Sequence, residues 1–334
     1  MADRHLFVWQ RSLLLAVVAA ALGGISGCSM PVARSANERI TSSVTLPMRQ
    51  QNPDSKTSDV KALVALRDEG YKKAIFRLAE AERINLLNIP LPVEFQGKTI
   101  LNVKLNSEDR AIAQPISAKP LAPEAPTKAI AQSQELKPIA LTFDDGPWSK
   151  STSQVLNVLK KNKVKATFFV VGRQVERYPQ LVKQIVNEGH ALGNHSWSHQ
   201  YHHFNQSGVL REIDGTTELV YKTTGVKTHL FRPPGGVMNN GLVSYAHDKK
   251  YGVIMWSADS LDWRYRNTSG LVDRVLREAK PGGIVLMHDG GGDRHATVQA
   301  LPIVISELKK RGYYFVTVPE LLDTADKEVV ASKP

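Results

Sequence analysis

Two adjacent carboxylates, Asp144 and Asp145, end an apolar run and stand directly before Gly146 and Pro147. A short apolar run stopped by Gly and Pro reads as a buried strand entering a loop, where a parallel sheet presents its chemistry. Neighbouring carboxylates repel and compete for protons, so the pair is costly unless a cation absorbs the charge. The second cluster is Gly193-Asn194-His195-Ser196-Trp197-Ser198-His199. His195 and His199 stand four apart, a spacing that in a helical turn puts both imidazoles on one face, able to share a metal. Five of the 10 histidines fall between His190 and His203, although His202 and His203 lack a comparable geometric reason. Two imidazoles and one carboxylate leave an open coordination position, the pattern of a catalytic rather than a structural zinc. Taken singly, each cluster also has a bland reading, a solvated Asp-Asp-Gly-Pro turn and a polar histidine loop.

Three further clusters follow. In Arg232-Pro233-Pro234-Gly235 the prolines carry no N–H, so the first backbone donor after Arg232 is Gly235, suited to an oxyanion hole. Arg232 brings a permanent charge that holds a carboxylate ionised and oriented. Asp259 to Trp263 follows another apolar run, and His288-Asp289 closes the run that begins at Ile284. A histidine with an acid to orient it makes a proton-transfer dyad. Asp262 is the partner expected for His288; Asp289 competes by adjacency, but neighbouring side chains on a strand point to opposite faces.

The elements that must position these groups alternate. Apolar runs predict strands over 139–143, 166–171, 190–193, 230–232, 252–256, 284–288 and 313–316. Helical periods over 151–161, 174–187, 209–224, 271–280 and 296–311 carry the crossovers. The order is βα repeated, so the fold class is α/β: a distorted (β/α) barrel of about seven parallel strands over 138–323, followed by a tail over 324–334. An open doubly wound sheet is the alternative; polar clusters at the ends of several strands favour a ring of loops around one mouth. Upstream, 59–87 shows helical spacing with a break at Gly70, and 89–105 shows period-two alternation around Gln96-Gly97-Lys98, predicting a helical hairpin and a β-hairpin. These form a small α+β accessory region over 59–106, joined to the barrel by a Pro/Ala-rich linker over 107–137.

The first 28 residues read as an export signal. Arg4 and Arg11 precede an apolar run too short to span a bilayer comfortably, and that run leads to Ile25-Ser26-Gly27-Cys28. This end resembles a bacterial lipoprotein processing box. Cys28 is the single cysteine of the chain, which favours its acylation and a membrane anchor through lipid, with 29–58 as a polar tether. A cleaved peptide or signal anchor exports the chain equally well. The 334 residues carry 42% hydrophobic content and a formal net charge of +11, which excludes a disordered protein and suits an anionic neighbour. No Lys/Arg block with interleaved aromatics appears, so nucleic acid is not an expected partner.

The order Thr-Phe-Asp-Asp-Gly, His-Ser-x-x-His, Arg-Pro-Pro-Gly, Asp-Ser-x-Asp-Trp and Leu-x-His resembles the five motifs of the polysaccharide deacetylases of carbohydrate esterase family four, the NodB-homology domain. The resemblance implies a divalent metal, most often zinc, with cobalt, nickel or manganese as alternatives, and removal of acetyl groups from N-acetylated sugars. By the same resemblance Asp145, His195 and His199 hold the metal, and Asp144 is the base. Arg232 orients Asp144, Asp262 tunes His288, and His288 is the acid. Trp263 and Leu286 line the acetyl pocket. Many members carry an aromatic residue where this chain has Gly235; the backbone donor survives, but a wall of the sugar groove is lost. The substrate expected for an exported, anchored enzyme is an N-acetylated glycan of the envelope, most simply peptidoglycan N-acetylglucosamine or N-acetylmuramic acid. Chitin oligomers, exopolysaccharide and acetylxylan are alternatives, as is a catalytically silent glycan-binding protein. A zinc peptidase is disfavoured because no His-Glu-x-x-His occurs.

Overall fold

The apolar run that ends at the two carboxylates becomes the longest strand of a single curled sheet. The computed structural model describes Ile84 and residues 87–105 and 137–325, all within the unit Leu63–Pro334. The expected export signal with Cys28, the tether, the helical hairpin apart from isolated positions, the linker and the tail beyond residue 325 lie outside the described residues. Among the described residues there are nine strands: β1 (Thr99–Ile100), β2 (Lys137–Asp144), β3 (Thr167–Val170), β4 (Ala191–Asn194), β5 (Leu230–Phe231), β6 (Gly252–Ile254), β7 (Ala258–Asp259), β8 (Gly283–His288) and β9 (Tyr313–Val316). Their order is β1-β6-β5-β4-β3-β2-β8-β7, with β9 also on β2, and every ladder is parallel. Ile139 pairs with both Gly283 and Phe315, and Thr142 with both Thr167 and Leu286. Strands β9 and β3 therefore share the β2 edge opposite β8, one below the other. This is a distorted (β/α) barrel, as the sequence predicts.

Period-two alternation sorts the strand side chains into two cores. Ile139, Leu141, Phe143, Val285 and Met287 face the crossover helices and pack with Leu156, Leu271 and Val304. Ala140, Phe169, Ile254 and Ile284 fill the barrel interior. Thr142, Asp144, Leu286 and His288 lie on that same inward face, so the chemistry at the strand ends is aimed into the barrel mouth by register alone.

Three departures from the sequence reading matter. First, 89–105 is not a β-hairpin. Val93–Phe95 forms a 3-10 turn, Thr99–Ile100 pairs in parallel with Val253 and Ile254, and Asn102 bridges to Gly283. The alternation is real, but its backbone bonds are satisfied by a distant strand instead of its neighbour. Leu91, Phe95, Ile100 and Val103 are buried in the barrel interior with Ala140 and Ile284. Second, the helix predicted over 174–187 is two, Gly172–Arg177 and Pro179–Asn187, because Pro179 cannot continue the first. Third, the period over 209–224 spans Gln206–Leu210, a π turn at Arg211–Gly215, and Thr216–Thr224. Leu242–Asp248 and Val318–Asp323 are too short to show a helical period, although the Thr317/Glu320 capping box of the latter is a readable start signal. Among the described residues no helix is long and apolar enough to cross a membrane.

Candidate active site

Strands β2, β4, β5 and β8 end together, and the polar residues at their C-terminal ends meet. Asp144 closes β2 opposite His288 in the β2–β8 register. Its Oδ1 accepts a hydrogen bond from Arg232 Nη1 at 2.8 Å, and the same nitrogen donates to Thr142 Oγ1. Arg232 also donates from Nε to the Ile254 carbonyl and from Nη2 to that of Met255, and its guanidinium lies 4.0 Å from the centre of the Phe169 ring. Arg232 is 0% exposed. Burial lowers its pKa while the Asp144 carboxylate works to raise it. A guanidinium tied at all three nitrogens leaves Asp144 one orientation.

Asp145 adopts φ 73°, in the left-handed region. This turn breaks the strand alternation that would otherwise send it to the opposite face from Asp144. Its Oδ1 lies 3.0 Å from His199 Nε2 and 3.5 Å from His195 Nε2, and one ligand atom from each of the three residues falls within 4.8 Å of the others. His195 Nδ1 is 2.8 Å from the Arg232 carbonyl and donates to it, which turns Nε2 towards Asp145. Asp145 Oδ1 is buried and has no hydrogen-bond partner of acceptable geometry. Burial works to raise the Asp145 pKa, but the two imidazoles hold it well below the usual carboxylate range. A buried, unsatisfied carboxylate oxygen beside two imidazole nitrogens fits a divalent cation of borderline softness.

The two histidines meet for a reason other than the predicted helical turn. Residues 195–199 form an irregular loop with Ser196 at φ 66° and His199 at φ 57°. Non-glycine residues hold such angles only when their surroundings insist. Here Glu212, 4% exposed on the π turn, accepts from the Trp197 and Ser198 N–H groups through Oε2 and from Ser198 Oγ through Oε1. Asn194 Oδ1 accepts from Ser196 N, and Ser196 Oγ from His199 N. Sequence reasoning missed Glu212, for one acid in an amphipathic helical stretch carries no signal of its own.

His288 meets the expected partner. Its Nδ1 is 2.6 Å from Asp262 Oδ1, and Asp262 Oδ2 accepts from the His288 backbone N–H and from Thr297 Oγ1. Burial disfavours the imidazolium, but the Asp262 hydrogen bond and charge, with Asp144 and Asp145 adding, lift His288 to about 9. Asp289 points elsewhere: Thr152 Oγ1 donates to it at 2.5 Å beneath Gly146, and burial pushes it up to about 7.

Gly235 has φ 59°, and Gly236 and Val237 donate back to Pro233 and Pro234. The Gly235 N–H thereby has no partner among the described residues. Leu286 and the exposed Trp263 line, with Asp144, His195 and His288, a cleft of about 730 Å³. At Gly235, where a wall of the sugar groove is expected to be lost, the Tyr201 ring from another loop stands over the glycine.

Residues 131–254 match the family model described as polysaccharide deacetylase. A peptidoglycan-N-acetylglucosamine deacetylase of Bacillus cereus is 46% identical over 189 residues, which span 56% of this chain and 88% of the relative. Among solved structures, the Bc1960 peptidoglycan N-acetylglucosamine deacetylase in complex with a substituted benzamide is 35% identical with a TM-score of 0.54, covering 57% of this chain and 90% of that one. BA3943 of Bacillus anthracis, described as a CE4 family pseudoenzyme, is 34% identical with a TM-score of 0.53 over 57% of this chain and 66% of its own. Similarity to nearly the whole of an established relative, on a shared fold and with all five motifs converging at one barrel mouth, establishes that this chain belongs to the polysaccharide deacetylase family.

Proposed function

We propose that the protein is a metal-dependent N-deacetylase of the cell envelope that hydrolyses the acetamido group of peptidoglycan N-acetylglucosamine. The observation that carries this reading is the placement of Asp144 and His288 opposite each other across two strands, beside the Asp145, His195 and His199 cluster. These three residues would hold the metal, most simply zinc. A divalent cation there would supply Lewis-acid polarisation of the acetyl carbonyl and lower the pKa of the attacking water.

The chain's own groups divide the proton work. Asp144, oriented by Arg232, takes the proton of the attacking water at Oδ2, the oxygen not engaged by Arg232. The free Gly235 N–H donates to the oxygen that gains charge as the carbonyl becomes tetrahedral. An amide nitrogen leaves poorly until protonated, and His288 delivers that proton from Nε2 while Asp262 stabilises the imidazolium through Nδ1. Leu286 and Trp263 hold the acetyl methyl and exclude water.

Peptidoglycan as substrate rests on the Bacillus cereus relative and on the expected export and lipid anchor at Cys28, which would place the barrel within tether reach of the wall. The experiment is acetate release by the purified full chain from peptidoglycan and chitin oligomers, before and after chelation and zinc restoration. Zinc-dependent release, greater on peptidoglycan, supports the reading. Similarity to a pseudoenzyme motivates a second reading, a glycan-binding protein without turnover, which glycan binding with no acetate would select.

A further inference from the structure

Tyr201 belongs to none of the five motifs, yet it stands inside the cleft. Its ring packs edge-on against His199, with centroids 5.5 Å apart and planes at 73°. On another side it covers Gly235: a Cβ built on that glycine would lie 2.9 Å from Tyr201 Cε1, closer than real Cβ atoms come. The glycine is thus the vacancy that the ring occupies. Two requirements coincide at this position, since φ 59° also disfavours any L side chain.

The ring is held on these two sides but remains 55% exposed and lines the cleft. Its hydroxyl has no hydrogen bond among the described residues. A large aromatic side chain braced by a histidine of the metal-binding set and by the backbone that offers the oxyanion donor is a fixed apolar platform with a free polar tip. An acetamido sugar has the matching chemistry: an apolar ring face of C–H groups edged by hydroxyls. With its acetyl carbonyl at the Gly235 N–H, such a sugar is already beside Tyr201.

We propose that Tyr201 is a substrate-contact residue that sets affinity for the glycan by stacking on a pyranose ring, in the space that Gly235 leaves open. This rests on the deacetylase reading for the identity of the sugar. Stacking that is equal in ground and transition states acts on KM and leaves kcat in place.

The test is steady-state deacetylation of an N-acetylglucosamine oligomer, with calorimetric binding of the same oligomer to the Asp144→Asn protein. Tyr201→Ala is expected to raise KM about tenfold with kcat within about threefold, to weaken binding by a similar factor, and to leave bound zinc unchanged. Tyr201→Phe is expected to restore the affinity. Gly235→Ala, which displaces the ring, should raise KM less when Tyr201 is already alanine. An unchanged KM and affinity in Tyr201→Ala overturns the proposal, as does a fall in kcat accompanied by zinc loss, which would make Tyr201 a support for His199. If the wild-type chain releases no acetate, the deacetylase reading fails while the calorimetric arm still decides the role of Tyr201; absence of oligomer binding to the Asp144→Asn protein overturns it as well.

Discussion

Arg232 and Asp144, 88 positions apart in the sequence, meet at 2.8 Å in an ion pair whose guanidinium is wholly buried. The same guanidinium ties β2 to the carbonyls of Ile254 and Met255 at the end of β6, so one side chain both orients the proposed base and closes the barrel interior. Removing one member of such a pair leaves an uncompensated buried charge. Arg232→Met is expected to cost about 3–5 kcal/mol in urea unfolding. A loss under about 1 kcal/mol would mean that the pair serves orientation alone.

The assigned proton carriers separate chemistry from folding. Asp144→Asn and His288→Ala are each expected to lower kcat at least about a hundredfold, in the range of a lost general acid or base, with the circular dichroism spectrum unchanged. Near-normal turnover in either variant would remove that residue from its role.

The alkaline side of the pH profile is expected to report His288. Its pKa is raised to about 9, so the acid form persists through neutral pH, and kcat is expected to fall as pH rises through that value. A cation at the neighbouring cluster offsets the share of the shift that comes from Asp144 and Asp145, leaving Asp262 as the main support. Asp262→Asn is expected to move the alkaline limb down by at least about one pH unit, towards the ordinary imidazole value. The His288–Asp262 pair stabilises the fold below the unfolded imidazole pKa and loses that contribution as pH climbs through about 9. A limb that stays in place in Asp262→Asn would assign it to another group.

Glu212 accepts three hydrogen bonds from the loop between His195 and His199, two of them from backbone N–H groups. Glu212→Ala leaves those donors buried and lets Ser196 and His199 relax from positive φ. Zinc dissociation, followed with a chromogenic chelator, is expected to be at least about tenfold faster, within the span seen for groups that support metal ligands. Unchanged zinc release with lowered thermal stability would limit Glu212 to the fold.

Residues 89–105 complete the barrel. Phe95 is buried with Leu91, Ile100 and Val103 against Ala140 and Ile284. Phe95→Ala is expected to cost about 3–5 kcal/mol in chemical unfolding, the range for truncating a core aromatic. The same packing predicts that a fragment beginning at Lys137 unfolds at lower denaturant than the full chain. Equal midpoints would show that the segment is an addition rather than a wall.

The motifs, their order and the strand that delivers each of them were readable because they are local. An apolar run, a stop and a polar pair need no knowledge of distant residues, and period two already separates the neighbouring side chains of His288 and Asp289 onto opposite faces. The choice of Asp262 over Asp289 followed from the same geometry. Three things waited for the tertiary structure. The alternation over 89–105 was legible, but a strand's partner is decided by which edge is open, and that edge belonged to β6, some 150 residues away. The meeting of His195 and His199 came from a loop at positive φ held by Glu212 instead of from helical spacing, because a buried carboxylate contributed by another element outweighs local preference. Finally, Gly235 by sequence alone is an absence. Only folding brings Tyr201 over it, since the space a glycine leaves is filled by whichever side chain the packing of another loop presents.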